Sequence, residues 1–326
     1  MNLPRRPRRL RTTAAVRAMV EETRLLATDL LYPLFVIGGE GIKSEIKSMP
    51  GMFRLSQEHL LEEIDHARSL GVKAFALFPN IHDSLKDARA TESLNPEGVY
   101  LKAITAIKAN FPDVAVMTDV AMDPYSSDGH DGYVENGRIL NDETLPILAD
   151  MAVAQARAGA DIIGPSDMMD GRIGYIRTAL DEAGFTDVSI MAYTAKYAGA
   201  FYGPFRDALD SAPKFGDKKT YQMNPSNVRE ALVEAELDYN EGADFLMVKP
   251  AMLYLDVIKT LKDNFNIPIA AYNVSGEYAM VKAAARMGWL DEKRAMAEIL
   301  TAMKRAGADI ILTYFAADMA RMLKEG

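Results

Sequence analysis

Amphipathic stretches alternate with short, uninterrupted apolar runs along most of the chain. Segments 55–70, 98–110, 142–158, 170–183, 226–241, 252–265, 277–287 and 291–306 carry apolar residues at helical spacing. Between them lie eight apolar runs, near 33–36, 72–78, 114–119, 161–165, 188–193, 244–249, 267–272 and 309–314. These runs are too short for helices and do not alternate, which fits strands buried on both faces. Several helix-to-strand junctions repeat one phrase: Gly159-Ala160-Asp161, Gly242-Ala243-Asp244 and Gly307-Ala308-Asp309, with Gly71-Val72-Lys73 as a relative. The glycine suits the left-handed residue that closes a helix. Strands that alternate with helices pair in parallel through right-handed crossovers. Eight such repeats predict an α/β fold, a closed (β/α)8 TIM barrel, with an open doubly wound sheet as the alternative. No G-x-G-x-x-G follows a strand and no Walker-type phosphate loop occurs.

Two connections are long for a barrel, about 120–141 and 197–225. Both follow strands, so both belong at the C-terminal mouth, where barrel enzymes do their chemistry. The strand ends bring Asp119, Ser166, Lys196, Lys249, Ser275 and Tyr314 to that mouth. Lys249 closes the apolar run Phe245-Leu246-Met247-Val248. Burial there would lower its pKa, and a neutral amine attacks carbonyls. The plainer reading is a lysine that reaches solvent or pairs with a carboxylate. Lys196 ends a similar run, and each cation makes charging the other harder. Two amines in one pocket suit the joining of two keto compounds. The loop after Lys196 holds Phe201-Tyr202-Gly203-Pro204-Phe205-Arg206 and later Lys218 and Gln222. Its aromatics, Tyr202 and Phe205, can cover a site, and Arg206 and Lys218 can hold a carboxylate. A lid that expels water protects an imine. The loop 119–132 holds Asp119, Asp123, Asp128, His130 and Asp131. These residues suit a hard cation, or they are ordinary turn residues.

Composition narrows the field. The 326 residues include no Cys, which removes disulfides, thiolate catalysis and thiolate-bound zinc. A formal charge of -9 argues against nucleic acid as a partner. No run approaches the length of a transmembrane helix, so no membrane association is expected. A cytoplasmic location agrees with the absence of Cys. The first eleven residues carry Arg5, Arg6, Arg8, Arg9 and Arg11. They read as a solvated tail or as an arm that grips an acidic neighbour. Residues 1–30 are taken as an assembly arm and 31–326 as the catalytic barrel.

The motifs in their order resemble the porphobilinogen synthase (5-aminolevulinate dehydratase) family. The resemblance rests on Arg6-Pro7-Arg8-Arg9-Leu10-Arg11, Met49-Pro50-Gly51 and Asp167-Met168-Met169-Asp170-Gly171. Lys196-Tyr197-Ala198, Phe201 to Arg206, and Tyr221-Gln222-Met223-Asn224-Pro225 add to it. So do Met247-Val248-Lys249-Pro250, Val274-Ser275-Gly276-Glu277-Tyr278 and Lys304 to Asp309. It covers almost the whole chain. It implies condensation of two 5-aminolevulinate molecules to porphobilinogen through lysine Schiff bases, in tetrapyrrole (heme) synthesis. Lys249 and Lys196 would be catalytic. Ser275 and Tyr314 would hold one substrate carboxylate, and Arg206, Lys218 and Gln222 the other. Asp119, Asp123 and Ser166 would face the substrate amines. Lys218 departs from the arginine of many relatives. The resemblance also implies a homo-octamer that in some members exchanges with a hexamer. Zinc-type relatives carry three Cys where this chain has Ala121, Asp123 and Asp131, so no zinc is expected. Magnesium at a remote site of Glu234 with Arg11 nearby is expected instead. Asp131, with magnesium or potassium, is the alternative cation position in the active site.

Overall fold

The computed structural model describes residues 3–209 and 214–325. Eight strands form one closed parallel barrel: β1 (Leu30–Ile37), β4 (Ala74–Asn80), β5 (Ala115–Val120), β8 (Ile162–Pro165), β9 (Ser189–Lys196), β10 (Phe245–Lys249), β11 (Ile269–Asn273) and β12 (Ile310–Thr313). Pairing of Leu30 with Ile311 and of Leu31 with Leu312 closes the ring. The strands are buried almost end to end, as apolar runs without alternation require.

The remaining numbers belong to short excursions. β2 (Lys43–Glu45) and β3 (Phe53–Leu55) form a hairpin whose second strand adds to β1. β6 (Tyr133–Glu135) and β7 (Arg138–Leu140) form a hairpin inside the first long connection. Neither hairpin was read from the sequence, because each run is three residues long and half-exposed or exposed. The helices are α1 (Ala14–Met19), α2 (Gln57–Ser69), α3 (Val99–Asn110), α4 (Asn141–Ala158), α5 (Arg172–Glu182), α6 (Gly203–Leu209), α7 (Arg229–Asn240), α8 (Leu255–Asn264), α9 (Ser275–Arg286), α10 (Glu292–Ala306) and α11 (Ala316–Glu325). Eight of them fall on the predicted helical segments. α11, with Ala316, Ala317, Met319 and Ala320 buried, was not foreseen.

The repeated Gly-Ala-Asp phrase has two jobs. Gly159, Gly242 and Gly307 close their helices at φ 109, 102 and 123°, which a side chain disfavours. The aspartates then cap a neighbouring strand. Asp161, Asp244 and Asp309 accept amides at the strand starts, those of Val116, Ile190 and Ile269, at 2.8, 2.8 and 2.9 Å. The phrase therefore sets both the end of a helix and the start of a ladder.

The N-terminal segment contrasts with the barrel. No residue from 3 to 24 is buried, and Leu3, Leu10, Met19 and Val20 are exposed. Among the described residues no helix is long and apolar enough to cross a membrane.

Candidate active site

The barrel brings the predicted residues together at its C-terminal mouth. Lys196 and Lys249 are the last residues of β9 and β10 and stand in register on adjacent strands. Both are buried, at 6% and 5% exposure. One small cavity is lined by Asp119, Asp123, Ser166, Lys196, Tyr202, Phe205, Arg206, Lys218, Gln222 and Lys249. Every one of these residues was named from the sequence.

Lys249 sits in a box of rings. Its Nζ lies 4.5 Å from the Tyr272 centroid, 4.9 Å from Tyr193, 5.0 Å from Phe205 and 5.6 Å from Tyr202. Burial, reinforced by the neighbouring Lys196 charge, lowers its pKa to about 7. An appreciable fraction is thus a free amine at neutral pH. Lys196 is held differently. Its Nζ pairs with Asp131 Oδ2 at 3.1 Å and donates to the Ser166 carbonyl. Both nitrogens face the Tyr193 ring, Lys196 Nζ at 6.0 Å and Lys249 Nζ at 4.9 Å from its centroid.

Tyr193 and Tyr272 were missed as site residues. Simple alternation puts Tyr193 and Lys196 on opposite faces of β9. The pairing, however, runs Leu246 with Ala192 and then Val248 with Ala195, so β9 carries one extra residue there. Such an irregularity re-aims side chains near a site. No sequence signal marks it.

Asp119 is the other perturbed group. Burial, with repulsion from Asp123, raises its carboxyl to about 7 against the pull of Lys249 and Lys196. Its backbone is clamped by Tyr100 Oη, which accepts from the amide at 2.8 Å, and by Gln155 Nε2, which donates to the carbonyl at 2.9 Å. Its Oδ1 has no hydrogen-bond partner among the described residues.

The lid comes from α6 and residues 214–222. Arg206 and Phe205 come from α6, and Lys218 and Gln222 from the later stretch. Lys218 Nζ pairs with Asp131 Oδ1 at 2.5 Å and with Asp123 Oδ2 at 3.4 Å. Burial alone would lower the Lys218 pKa, but Asp123 and Asp131 outweigh it and raise it. Burial would raise Asp131, but the Lys196 and Lys218 charges hold it at about 2.

Ser275 and Tyr314 are buried beside the cavity rather than lining it. Ser275 Oγ accepts the Phe205 amide at 3.0 Å, tying α9 to the lid helix. Tyr314 Oη bonds Tyr272 Oη at 2.9 Å and thus braces one wall of the lysine box.

The cation expectations divide. Both oxygens of Asp131 already face ammoniums, and Asp123 shares one of them. This donor set does not suit a metal ion. Among the described residues no three His, Cys, Asp or Glu side chains converge to hold one. Glu234, on α7, is half-buried in a separate cavity of about 360 Å³ with Asn141, Asp170, Glu230 and lid residues Lys219 to Met223. Arg11 lies in the exposed turn Pro7–Arg11, and no ion pair joins it to Glu234 within the described chain.

Comparison with known proteins agrees with this geometry. The family model for delta-aminolevulinic acid dehydratase matches residues 4–322. The chain belongs to the delta-aminolevulinic acid dehydratase family. The Physcomitrium patens chloroplastic delta-aminolevulinic acid dehydratase is 58% identical over 323 residues, covering 98% of this chain and 74% of the relative. The delta-aminolevulinic acid dehydratase of Halalkalibacterium halodurans is 54% identical over 321 residues, covering 98% and 97%. The crystal structure of delta-aminolevulinic acid dehydratase (porphobilinogen synthase) from Toxoplasma gondii ME49, in complex with the reaction product porphobilinogen, superposes with a TM-score of 0.97 at 54% identity. That match covers 99% of this chain and 92% of the other. As a dehydratase of this family, the chain is a lyase of porphyrin biosynthesis. Its reaction is porphobilinogen synthesis.

Proposed function

We propose that the chain joins two 5-aminolevulinate molecules through a Schiff base on Lys249, with Lys196 forming or assisting a second. The carrying observation is the buried, ring-enclosed Lys249 amine with its pKa near 7. Its lone pair attacks the ketone carbon of the first substrate, and the ketone oxygen leaves as water to give an imine. Lys196, ion-paired to Asp131, is set to donate a proton to an oxygen that leaves. Capture of the second ketone releases the second water. The new C–C and C–N bonds of the pyrrole then displace both lysines, which return free. Two substrates thus yield one porphobilinogen and two waters.

The other residues divide the remaining work. Arg206, Lys218 and Gln222, on the lid side of the cavity, hold the second substrate's carboxylate. Ser275 and Tyr314 hold the first carboxylate, the side from which they now tie lid and wall. Asp123 and Ser166 face the amines. Asp119, poised near neutrality with one unpaired oxygen, is the carrier of the protons lost in bond formation and aromatisation.

A remote magnesium ion at Glu234 and a homo-octamer, exchanging with a hexamer, complete the reading. Burial, with Asp238, Asp170 and Glu230 nearby, raises Glu234 to about 7 against the pull of Arg172. A hydrated magnesium ion would relieve that strain and bind the assembled form. The arm, with five arginines in its first eleven residues and exposed Leu3, Leu10, Met19 and Val20, suits a neighbouring copy. Removal of residues 1–24 should then reduce the assembly by light scattering, and magnesium should shift the full chain toward the larger form.

Borohydride added with 5-aminolevulinate tests the chemistry. A reduced adduct on Lys249, located by peptide mass, is expected. Active enzyme with no adduct on either lysine would refute it. Lys249→Ala should keep the fold and lose most turnover.

A further inference from the structure

Asp131 is fully enclosed, and each of its oxygens faces a different ammonium. Oδ2 lies 3.1 Å from Lys196 on the barrel rim, and Oδ1 lies 2.5 Å from Lys218 in the lid. The same Lys218 nitrogen lies 3.4 Å from Asp123 Oδ2. One lid ammonium therefore stands between two buried carboxylates. Two such carboxylates repel and need positive charge beside them. Lys218 and Lys196 face this pair directly, and Arg206 and Lys249 line the same pocket, so a metal ion added here would enter among cationic side chains.

The position of Lys218 is fixed by more than its own long side chain. His130, buried in the same loop as Asp131, donates from Nε2 to the Phe215 carbonyl at 3.0 Å. Its ring packs on Phe215 with centroids 4.6 Å apart, and Nδ1 meets Tyr221 Oη at 3.2 Å. The Lys214 amide donates to the Asp128 carbonyl at 3.1 Å. The Met223 amide donates to the Lys196 carbonyl at 2.9 Å. These bonds join the aspartate loop, the end of β9 and the lid. The stretch 214–223 thus holds Lys218 against the carboxylates. A lysine suits this place as a compact charge with three donors, where an arginine would present a flat fork.

We propose that the Lys218 ammonium is the resident cation of the Asp123–Asp131 pair, held there by the stretch 214–223, so that this pair takes no metal ion in the intact protein. Lys218 then acts on Lys196 through Asp131 as a positioning residue, besides its contact with substrate. Only the naming of Lys196 as reactive rests on the proposed function; the ion pairing does not.

The test is a count of bound Mn²⁺ per full-length chain by electron paramagnetic resonance, which uses no turnover. Lys218→Ala should bind one Mn²⁺ more than wild type, and Lys218→Ala/Asp131→Asn should lose that extra ion. A remote site at Glu234 is common to all variants and cancels. Turnover of 5-aminolevulinate by Lys218→Ala should rise at least tenfold as the extra site fills. Should Lys218→Ala fail to fold, wild type against Asp131→Asn decides alone: equal counts are expected. Equal counts in wild type and Lys218→Ala, or a wild-type ion lost in Asp131→Asn, overturn the proposal.

Discussion

Replacing Lys196 with Met removes the cation beside Lys249 while keeping a side chain of similar length. Lys249 and Lys196 are in register on neighbouring strands, which run ~5 Å apart. Two charges at that separation, at an effective dielectric of about 20, repel by roughly 3 kcal/mol, or about two pKa units. Asp131, paired with Lys196, offsets part of that repulsion, so a rise of about one unit is expected. Burial is the larger cause of the low Lys249 value and stays in place. The sign follows from the reactive form. The amine must be neutral, so its capture of a ketone rises with pH and levels off above the pKa. The assay is the rate of borohydride trapping of a plain 4-oxo acid on Lys249, followed by peptide mass from acid to alkaline pH. Wild type should be half-maximal near the Lys249 pKa of about 7. Lys196→Met should shift that midpoint upward by about one unit, an approximately tenfold loss of trapping well below it. An unmoved or lowered midpoint would refute the coupling between the two amines.

Asp119→Asn should lower turnover by about two to three orders of magnitude, the range expected for a lost acid–base group. Trapping on Lys249 should survive with its midpoint shifted down, because an anion that favours the charged amine is gone; unchanged turnover would remove Asp119 as proton carrier. Phe205→Ala takes one ring from the Lys249 box and admits water, so the trapping midpoint should rise and kcat/KM fall by about tenfold. A midpoint that stays put would show that the ring does not desolvate the amine. Asp238→Ala leaves buried Arg172 with only the longer Asp167 pair at 3.8 Å, where Asp238 Oδ1 and Oδ2 now lie 3.0 and 3.3 Å from the guanidinium. Chemical denaturation should report a loss of about 3–5 kcal/mol.

The legibility of the site follows from where its residues sit. Lys249, Lys196 and Asp119 lie at or beside strand ends, and a barrel sends those ends to one mouth. Once the strands were placed, their meeting required no further information. Arg206, Lys218 and Gln222 were legible for another reason: they lie on a connection too long to be a mere link. Ser275 and Tyr314 were placed near the site, but their present partners, Phe205 and Tyr272, could not be read from spacing. Asp131 shows the limit most clearly. An aspartate in a loop with other aspartates reads as a cation ligand, and only the folded lid shows that two lysines occupy its oxygens.

The chain's own pattern determined the eight strands, the helices between them, and the order in which chemistry reaches the mouth. Apolar runs of strand length and Gly-Ala-Asp junctions are local signals, governed by short-range burial and backbone conformation, so they survive in one dimension. The tertiary structure alone decided which face of β9 carries Tyr193, how Lys249 is boxed by rings from two strands and the lid, and which ion each carboxylate holds. Those outcomes depend on desolvation and on charges brought close by distant segments. Both quantities exist only when the barrel and its lid have closed around them.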